Sequence, residues 1–522
     1  MSVNAPRQVD EFIAPPKGEI LGHPTGLWML FGSEFWERFC YYGMRAILAP
    51  YVAAAFFAHL SGENADAEAS LAYGGYTALV YALGIFGGYV ADKYLGYQRS
   101  IMLGGAFMAV GMFMLLSTNF TIFLFGLATL VVGNGLFKPN ISTMVGKLYA
   151  PGDVRRDSGF TIFYMGINAG AFIAPIICGG LIGERYGFKW GFFTAGIGML
   201  FGLFAFQWKK GTLGHIGTAL PGKEGFNRVI HVALGCIAAI PLMYLLMARG
   251  WQNDLTASLE GVPVIYPILK QFGVLGTILG LMMLSLMAYL IRRGMKSGDP
   301  VQTQRYAAMN ILFVANMCFW AMFEQAGSSL NFLARDYVDM PFGLNFTIFQ
   351  AANPVFIILL APLFAMLWPW LDKRSMNPSI PRKFALALLQ VAAGFYLLVW
   401  IISGLAEGGM KIHWLWLTLC YLLHTTGELC LSPIGLSMIT KLAAPKEVGV
   451  AMGGWFLSIA CANFIAGVIA AIASGGGAHG AAASGLNQYA DTFMLLVWFG
   501  LGAGVLFLIV APLINKLMHG VK

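Results

Sequence analysis

Long apolar stretches alternate with short polar segments from about residue 27 to residue 514. A helix needs roughly 17 to 25 apolar residues to cross the hydrocarbon core of a bilayer. By that rule fourteen spans are predicted, near 27–57, 71–91, 100–118, 121–146, 158–183, 190–208, 229–248, 264–291, 306–333, 345–368, 384–404, 412–440, 448–473 and 492–514. An even count puts both termini on one side of the membrane. Of the 32 Lys and Arg residues, 23 fall in segments on the terminal side and four inside spans. Only five (Arg185, Lys189, Arg249, Arg335 and Lys411) lie opposite. Basic residues accumulate in cytoplasmic loops, so both termini are expected in the cytoplasm. The first 24 residues are polar and contain prolines, without the apolar core of a cleavable signal.

Composition narrows the class. The chain is 58% hydrophobic and 11% charged, against about 25% charged in soluble domains. That leaves too little polar surface for a water-soluble enzyme of 522 residues. It also leaves too much apolar content for disorder. The 65 glycines and 40 phenylalanines suit helix-packing and lipid-facing positions in a membrane. An all-α polytopic membrane protein is the expected fold class. The formal charge of +8 is spread between spans with no basic run longer than two residues, so no nucleic-acid-binding face is expected. Cys40, Cys178, Cys236, Cys318, Cys420, Cys430 and Cys461 all lie within spans at unrelated spacings. They read as packing residues, with neither a disulfide framework nor a metal pair.

An internal repeat sets the architecture. Residues 133–148 (GNGLFKPNISTMVGKL) align without gaps on residues 427–442 (GELCLSPIGLSMITKL). Gly133/Gly427, Pro139/Pro433, Met144/Met438, Lys147/Lys441 and Leu148/Leu442 coincide. A second echo places Asp92-Lys93 after the second span against Asp372-Lys373 after the tenth. Together they imply two parallel six-span halves, 25–210 and 301–515, with an inserted pair and linkers at 211–300. Tails at 1–24 and 516–522 complete the layout. A crevice between two such halves is the usual home of a binding site near the bilayer midplane.

An ionisable residue at the centre of a span costs ~3 kcal/mol on insertion scales. Lys270, near a span end, can snorkel to the interface. The other seven, Glu34, Glu37, Arg38, Arg45, Lys138, Glu324 and Glu428, must face one another or water. On a helix Glu34, Arg38, Tyr41 and Arg45 fall within about 60° of one another, and Glu37 adjoins them. The Glu34–Arg38 spacing also allows a plain ion pair between neighbouring turns. Trp320, Glu324, Ser328 and Asn331 share a face of the ninth span. Thr161, Tyr164 and Asn168 share one of the fifth, where small polar groups also serve as bonds between helices. His424, one turn before Glu428, reads as a packing residue.

The signs are unevenly divided. The N-terminal half carries a net +1 within its spans and the C-terminal half −2. In the repeat, Lys138 and Glu428 project from equivalent faces of two related helices. A crevice cationic on one wall and anionic on the other suits a zwitterion. Its carboxylate would meet Arg45 or Lys138, and its ammonium Glu428. The seven charges sum to −1, which leaves room for one proton on a carboxylate.

These residues resemble a known family. The run Glu34-Phe35-Trp36-Glu37-Arg38-Phe39-Cys40-Tyr41-Tyr42-Gly43 looks like the E-x-x-E-R-F-x-Y-Y-G motif of bacterial proton-dependent oligopeptide transporters. Gly87 to Lys93 (GGYVADK) resembles the major-facilitator loop signature. FTIFYMGINAGAF (Phe160–Phe172), FWAMFEQAGSSL (Phe319–Leu330) and GELCLSP (Gly427–Pro433) fit the same family, and the resemblance runs from about residue 25 to 515. It implies a major-facilitator bundle of twelve helices plus two inserted ones, in the cell inner membrane. It further implies import of di- and tripeptides with protons, no cofactor beyond the coupling proton, and no obligate protein partner. By the same resemblance Glu34, Glu37 and Arg38, with Glu324, belong to proton coupling. Arg45 and Lys138 match groups for the peptide carboxylate, and Glu428 the ligand of the amino terminus. Arg45–Glu324 and Lys138–Glu428 match an outer and an inner gate. Tyr41, Tyr42, Tyr81, Asn168, Trp320, Asn353 and Trp455 match pocket positions. Animal members carry a histidine in the second span, and 71–91 has none.

Rival classes fit less well. A drug antiporter or anion symporter of the same superfamily would share the loop signature. A drug antiporter, however, should favour an apolar or acidic pocket without Lys138 and Arg45. A membrane enzyme would need a nucleophile or metal set, and no HExxH, Walker lysine or GxSxG occurs. A channel would repeat a pore-lining ring. Residues 474–487 (SGGGAHGAAASGLN) are expected to form a flexible external loop.

Overall fold

The computed structural model describes residues 15–16, 18–150, 152–219, 222, 225–405, 411–475 and 485–521. Most of the expected tail 1–24 and loop 474–487 therefore lies outside the described residues. The chain is almost entirely helical. The first half comprises α1 (Thr25–Phe56), α2 (Gly62–Val90), α3 (Tyr97–Met114), α4 (Phe120–Lys147), α5 (Arg155–Ala174), the short α6 (Glu184–Tyr186) and α7 (Phe188–Lys209). Then come α8 (Phe226–Met247), α9 (Arg249–Ser258) and α10 (Ile265–Lys296). The second half holds α11 (Pro300–Phe323), α12 (Ser329–Tyr337), α13 (Ala352–Asp372), α14 (Ile380–Leu405), α15 (Trp414–Leu442), α16 (Val448–Ala473) and α17 (Leu486–Leu517). Short strands β1 (Glu19–Ile20) and β2 (His23–Pro24) form an antiparallel pair before α1, and β3 (Val338–Asp339) pairs with β4 (Ile412–His413).

Among the described residues, eleven helices are long and apolar enough to cross a membrane. Helices α1, α3 and α15 occupy three further predicted spans, and α1 and α15 carry buried charges themselves. Hydropathy had no means of finding α9, a short amphipathic helix between two spans. Nor does it register helix type. A π-helical stretch, Pro175–Gly183, joins α5 to α6, and a 3₁₀ turn, Glu324–Gly327, separates α11 from α12.

The repeat reappears as packing. Helix α1 packs on α5 and α7, and α11 on α16 and α17; α3 packs on α4, and α14 on α15. The halves join through two equivalent seams, α2 on α16 and α5 on α13. At the first, a Cβ on Gly74 would lie 2.7 Å from the Gly467 Cα, so the backbones touch there. At the second, Thr347 sits against Gly179. The Asn331 amide donates to the Ala46 carbonyl at 2.9 Å, and Arg335 Nη2 lies 2.7 Å from Asp66 Oδ2. All four contacts lie on the side away from the termini. Nearer the termini, Phe160 and Tyr164 of α5 are 36% and 40% exposed, where the halves part. The inserted helices divide their attachment: α8 packs on α4 and α10 on α11 and α16.

Candidate functional site

Polar side chains in apolar surroundings find partners, because leaving them bare is costly. On α1, Arg38 Nε lies 3.2 Å from Glu34 Oε1, and Arg38 Nη2 donates to Glu37 Oε1 at 2.6 Å. Arg38 Nε also bonds Glu37 Oε2. Asn134 of α4 donates to Glu37 Oε1 at 3.0 Å. One guanidinium thus serves two buried carboxylates, and the triad carries a net −1. Glu34 Oε2 is buried without a hydrogen-bond partner. The guanidinium also lies 5.1 Å from the Tyr41 ring centroid, within cation–π range.

Two turns further on, Arg45 pairs with Glu324 of the other half and bonds the Tyr73 hydroxyl. Glu324 is presented by the 3₁₀ turn that interrupts the helix there, so the break aims its carboxylate across the interface. Tyr42 lies 5.8 Å from the same guanidinium.

Two further charges within the bundle have no ion-pair partner of opposite sign among the described residues. Lys138 Nζ sits 4.7 Å from the Tyr81 ring centroid, and among the described residues no carboxylate is within ion-pair distance of it. Glu428 Oε2 accepts from Asn353 Nδ2 at 2.8 Å, and the same amide nitrogen lies 3.1 Å from Thr425 Oγ1. No cation pairs with Glu428 among the described residues. The Lys138–Glu428 pair implied by the resemblance is therefore open here, while Arg45–Glu324 is closed.

The remaining expected positions fall into two groups. Tyr42, Tyr81 and Asn353 are half-buried, and Trp320 is nearly buried, packed on Phe319 and Phe323 with its indole nitrogen unpartnered. Asn168 is buried, its amide donating back to the Tyr164 carbonyl at 3.0 Å. Trp455 stands apart: only 1% exposed, it fills the space over Gly435 between α15 and α16. His424 packs against Phe395 and Gly394. Among the described residues no cluster of His, Cys, Asp and Glu could hold a metal ion.

Three contributors escaped the sequence reading: Tyr73, Asn134 and the Asp66–Arg335 pair, which Asp336 extends at 2.7 Å from Arg335. Asp66 and Arg335 lie at span ends, where a charge has a cheap route to water. Uncharged Tyr73 and Asn134 raise no alarm in an apolar run.

Fold and site define a polytopic membrane transporter built from two groups of packed helices with buried charges between them. A profile of the POT family matches residues 98–484, and this chain belongs to that family. It is 38% identical over 465 residues to the peptide transporter YePEPT of Yersinia enterocolitica, covering 86% of this chain and 88% of that one. It is 34% identical to a di-/tripeptide transporter of Lactococcus lactis, over 96% and 98% of the two chains. Among solved structures, a peptide transporter POT in complex with sulfate superposes with a TM-score of 0.78 at 35% identity, over 97% and 98%. A POT family transporter in complex with 5-aminolevulinic acid gives 0.77 at 31%, over 96% and 99%.

Proposed function

We propose that this chain imports di- and tripeptides together with protons by alternating access across the cell inner membrane. The observation that carries the reading is the pair of unmatched charges: Lys138 on one half and Glu428 on the other, each within the bundle and without a counter-ion among the described residues. A buried charge without a counter-ion is costly, and a free peptide supplies both missing partners from its own ends. Arg45 provides a second cation on the carboxylate side once it is released from Glu324. Tyr42, Tyr81 and Trp320 offer aromatic surface to side chains, and recognition by the termini tolerates many of them. With the termini in the cytoplasm, the closed side is the outer one and the crevice opens inward. Relatives named as peptide and di-/tripeptide transporters support the substrate class.

Protons would act on the carboxylates that hold the closed side together. Neutralising Glu324 weakens its pair with Arg45, and peptide binding draws Arg45 and Glu428 onto the ligand. Each pair then has two arrangements, and proton and peptide bias the choice between them. Labelled dipeptide uptake into proteoliposomes, with and without an inward proton gradient, tests this. Accumulation should require the gradient, and a dipeptide acetylated at one end and amidated at the other should fail to compete. Gradient-independent uptake, or equal competition by the blocked dipeptide, overturns the reading.

A further inference from the structure

Tyr73 stands on α2 of the first half, 2% exposed, and takes no part in the charge division described above. Its hydroxyl accepts from Arg45 Nε, while Arg45 Nη2 reaches Glu324. The guanidinium thus gives its Nε–H to its own half and its Nη2 to the opposite half, two neighbouring donors of one planar group. An Arg fork is planar and its bonds are directional, so fixing the Nε–H fixes the aim of the adjacent Nη2.

The tip of the same tyrosine enters the opposite half. A Cβ on Gly327 would lie 1.8 Å from the Tyr73 hydroxyl and 2.4 Å from its Cζ. No side chain fits there while Tyr73 is in place. Gly327 closes the 3₁₀ turn that Glu324 opens, so notch and carboxylate are three residues apart on one rigid turn. Next along α2, the backbone of Gly74 meets Gly467, which holds Tyr73 at the level of the notch. Tyr73, Arg45, Glu324 and Gly327 therefore form a closed loop of contacts that exists only when the halves meet on this side.

We propose that Tyr73 is a positioning residue, seated in the Gly327 notch, that aims Arg45 at Glu324 and makes the ion pair conditional on closure of the outer face. The ion pair alone does not sense closure, since long side chains can bridge a partly open gap. A tyrosine tip in a backbone notch has no such slack. The role of Arg45 in transport rests on the symport reading above, whereas the notch itself is a matter of closure and can be measured without transport.

The test combines a distance with a rate. Spin labels on Cys introduced at the exposed outer positions His59 and Leu344 report the separation of the halves by double electron–electron resonance. Gly327→Ala should move most of the distance distribution to a longer, open separation. Adding Tyr73→Ala, which vacates the space, should return it towards the original. Tyr73→Phe should leave the distances unchanged, because the ring still fits. It should nevertheless raise KM for a free dipeptide about fivefold or more and displace the pH profile of driven uptake, with the KM of a C-amidated dipeptide unmoved. An unchanged distribution in Gly327→Ala overturns the notch, as does a double variant no more closed than the single one. A Tyr73→Phe protein with native KM and pH profile overturns the positioning role. If the unsubstituted protein closes normally and carries no dipeptide, the symport reading fails and the distance arms still decide the notch.

Discussion

Glu428 differs from the other buried carboxylates in having an amide for its partner instead of a cation. Asn353 satisfies one oxygen at 2.8 Å, and among the described residues no cation compensates the charge. A hydrogen bond to a charged group is worth about 1.5–3 kcal/mol. Glu428→Gln should therefore raise KM for a free dipeptide roughly 10- to 100-fold and leave an N-acetylated one unaffected, as competition uptake can show. Such charges were legible in the sequence because an ion inside an apolar run is too expensive to be incidental. Their partners were not. Lys138 faces Tyr81 in place of Glu428, and nothing in a spacing tells which partner a charge meets once the chain is folded. A further expectation belongs to Asp153, outside the membrane. The hydrogen bonds of Arg155 hold its carboxyl below the usual range. The same Arg155 reaches Glu19 at 2.8 Å and so ties down the strand pair before α1. A depressed carboxyl stabilises above its unfolded value of about 4 and loses that contribution as pH falls through the folded value. Relative to intrinsic exchange, which itself slows on acidification, protection of the amides at residues 18–25 should fall between pH 6 and pH 3, and Asp153→Asn should remove most of that pH dependence.

At the scale of elements, the spans themselves were readable and their interruptions were not. Hydropathy sums apolarity over a window, so it passes over the 3₁₀ turn that presents Glu324 and the π-helical end of α5. Both interruptions lie where the halves touch. The α2–α16 seam is the more exacting of the two, because both contact surfaces are backbone. A Cβ on Gly467 would lie 2.8 Å from the Gly74 Cα and 2.9 Å from the Ser70 carbonyl oxygen, with no flexible side chain to yield. Gly467→Ala should lower the maximal uptake rate at least tenfold while equilibrium binding of a dipeptide changes less than twofold. The α1 triad predicts a different dissociation of effects. With Glu34→Gln and Glu37→Gln combined, exchange of labelled for unlabelled peptide should persist, and gradient-driven accumulation should vanish. Equal loss of both would assign the triad to holding helices together.

For the whole molecule, two short echoes suggested the six-plus-six plan, and several pairings recur along the chain: α1 with α5 and α7 beside α11 with α16 and α17, and α3 with α4 beside α14 with α15. The inserted pair carried no such signal, since helices facing lipid need only be apolar. Their attachment nonetheless has a consequence. Helix α8 stacks Tyr244 on Phe125 of the first half with ring centroids 4.3 Å apart, and Arg249, just beyond it, reaches Glu68 at 2.8 Å. Helix α10 rests on Phe464 through Gly276 and pairs Arg293 with Glu447 of the second half at 2.6 Å. Between those two sets of contacts α10 itself kinks, at Gly273, whose φ of +62° suits glycine and few other residues. Two bars bolted to opposite jaws and joined by a pivot must change their spacing whenever the jaws move. The insert is in that sense a caliper on the membrane-facing flank of the protein, from which its conformational state can be read without touching the crevice.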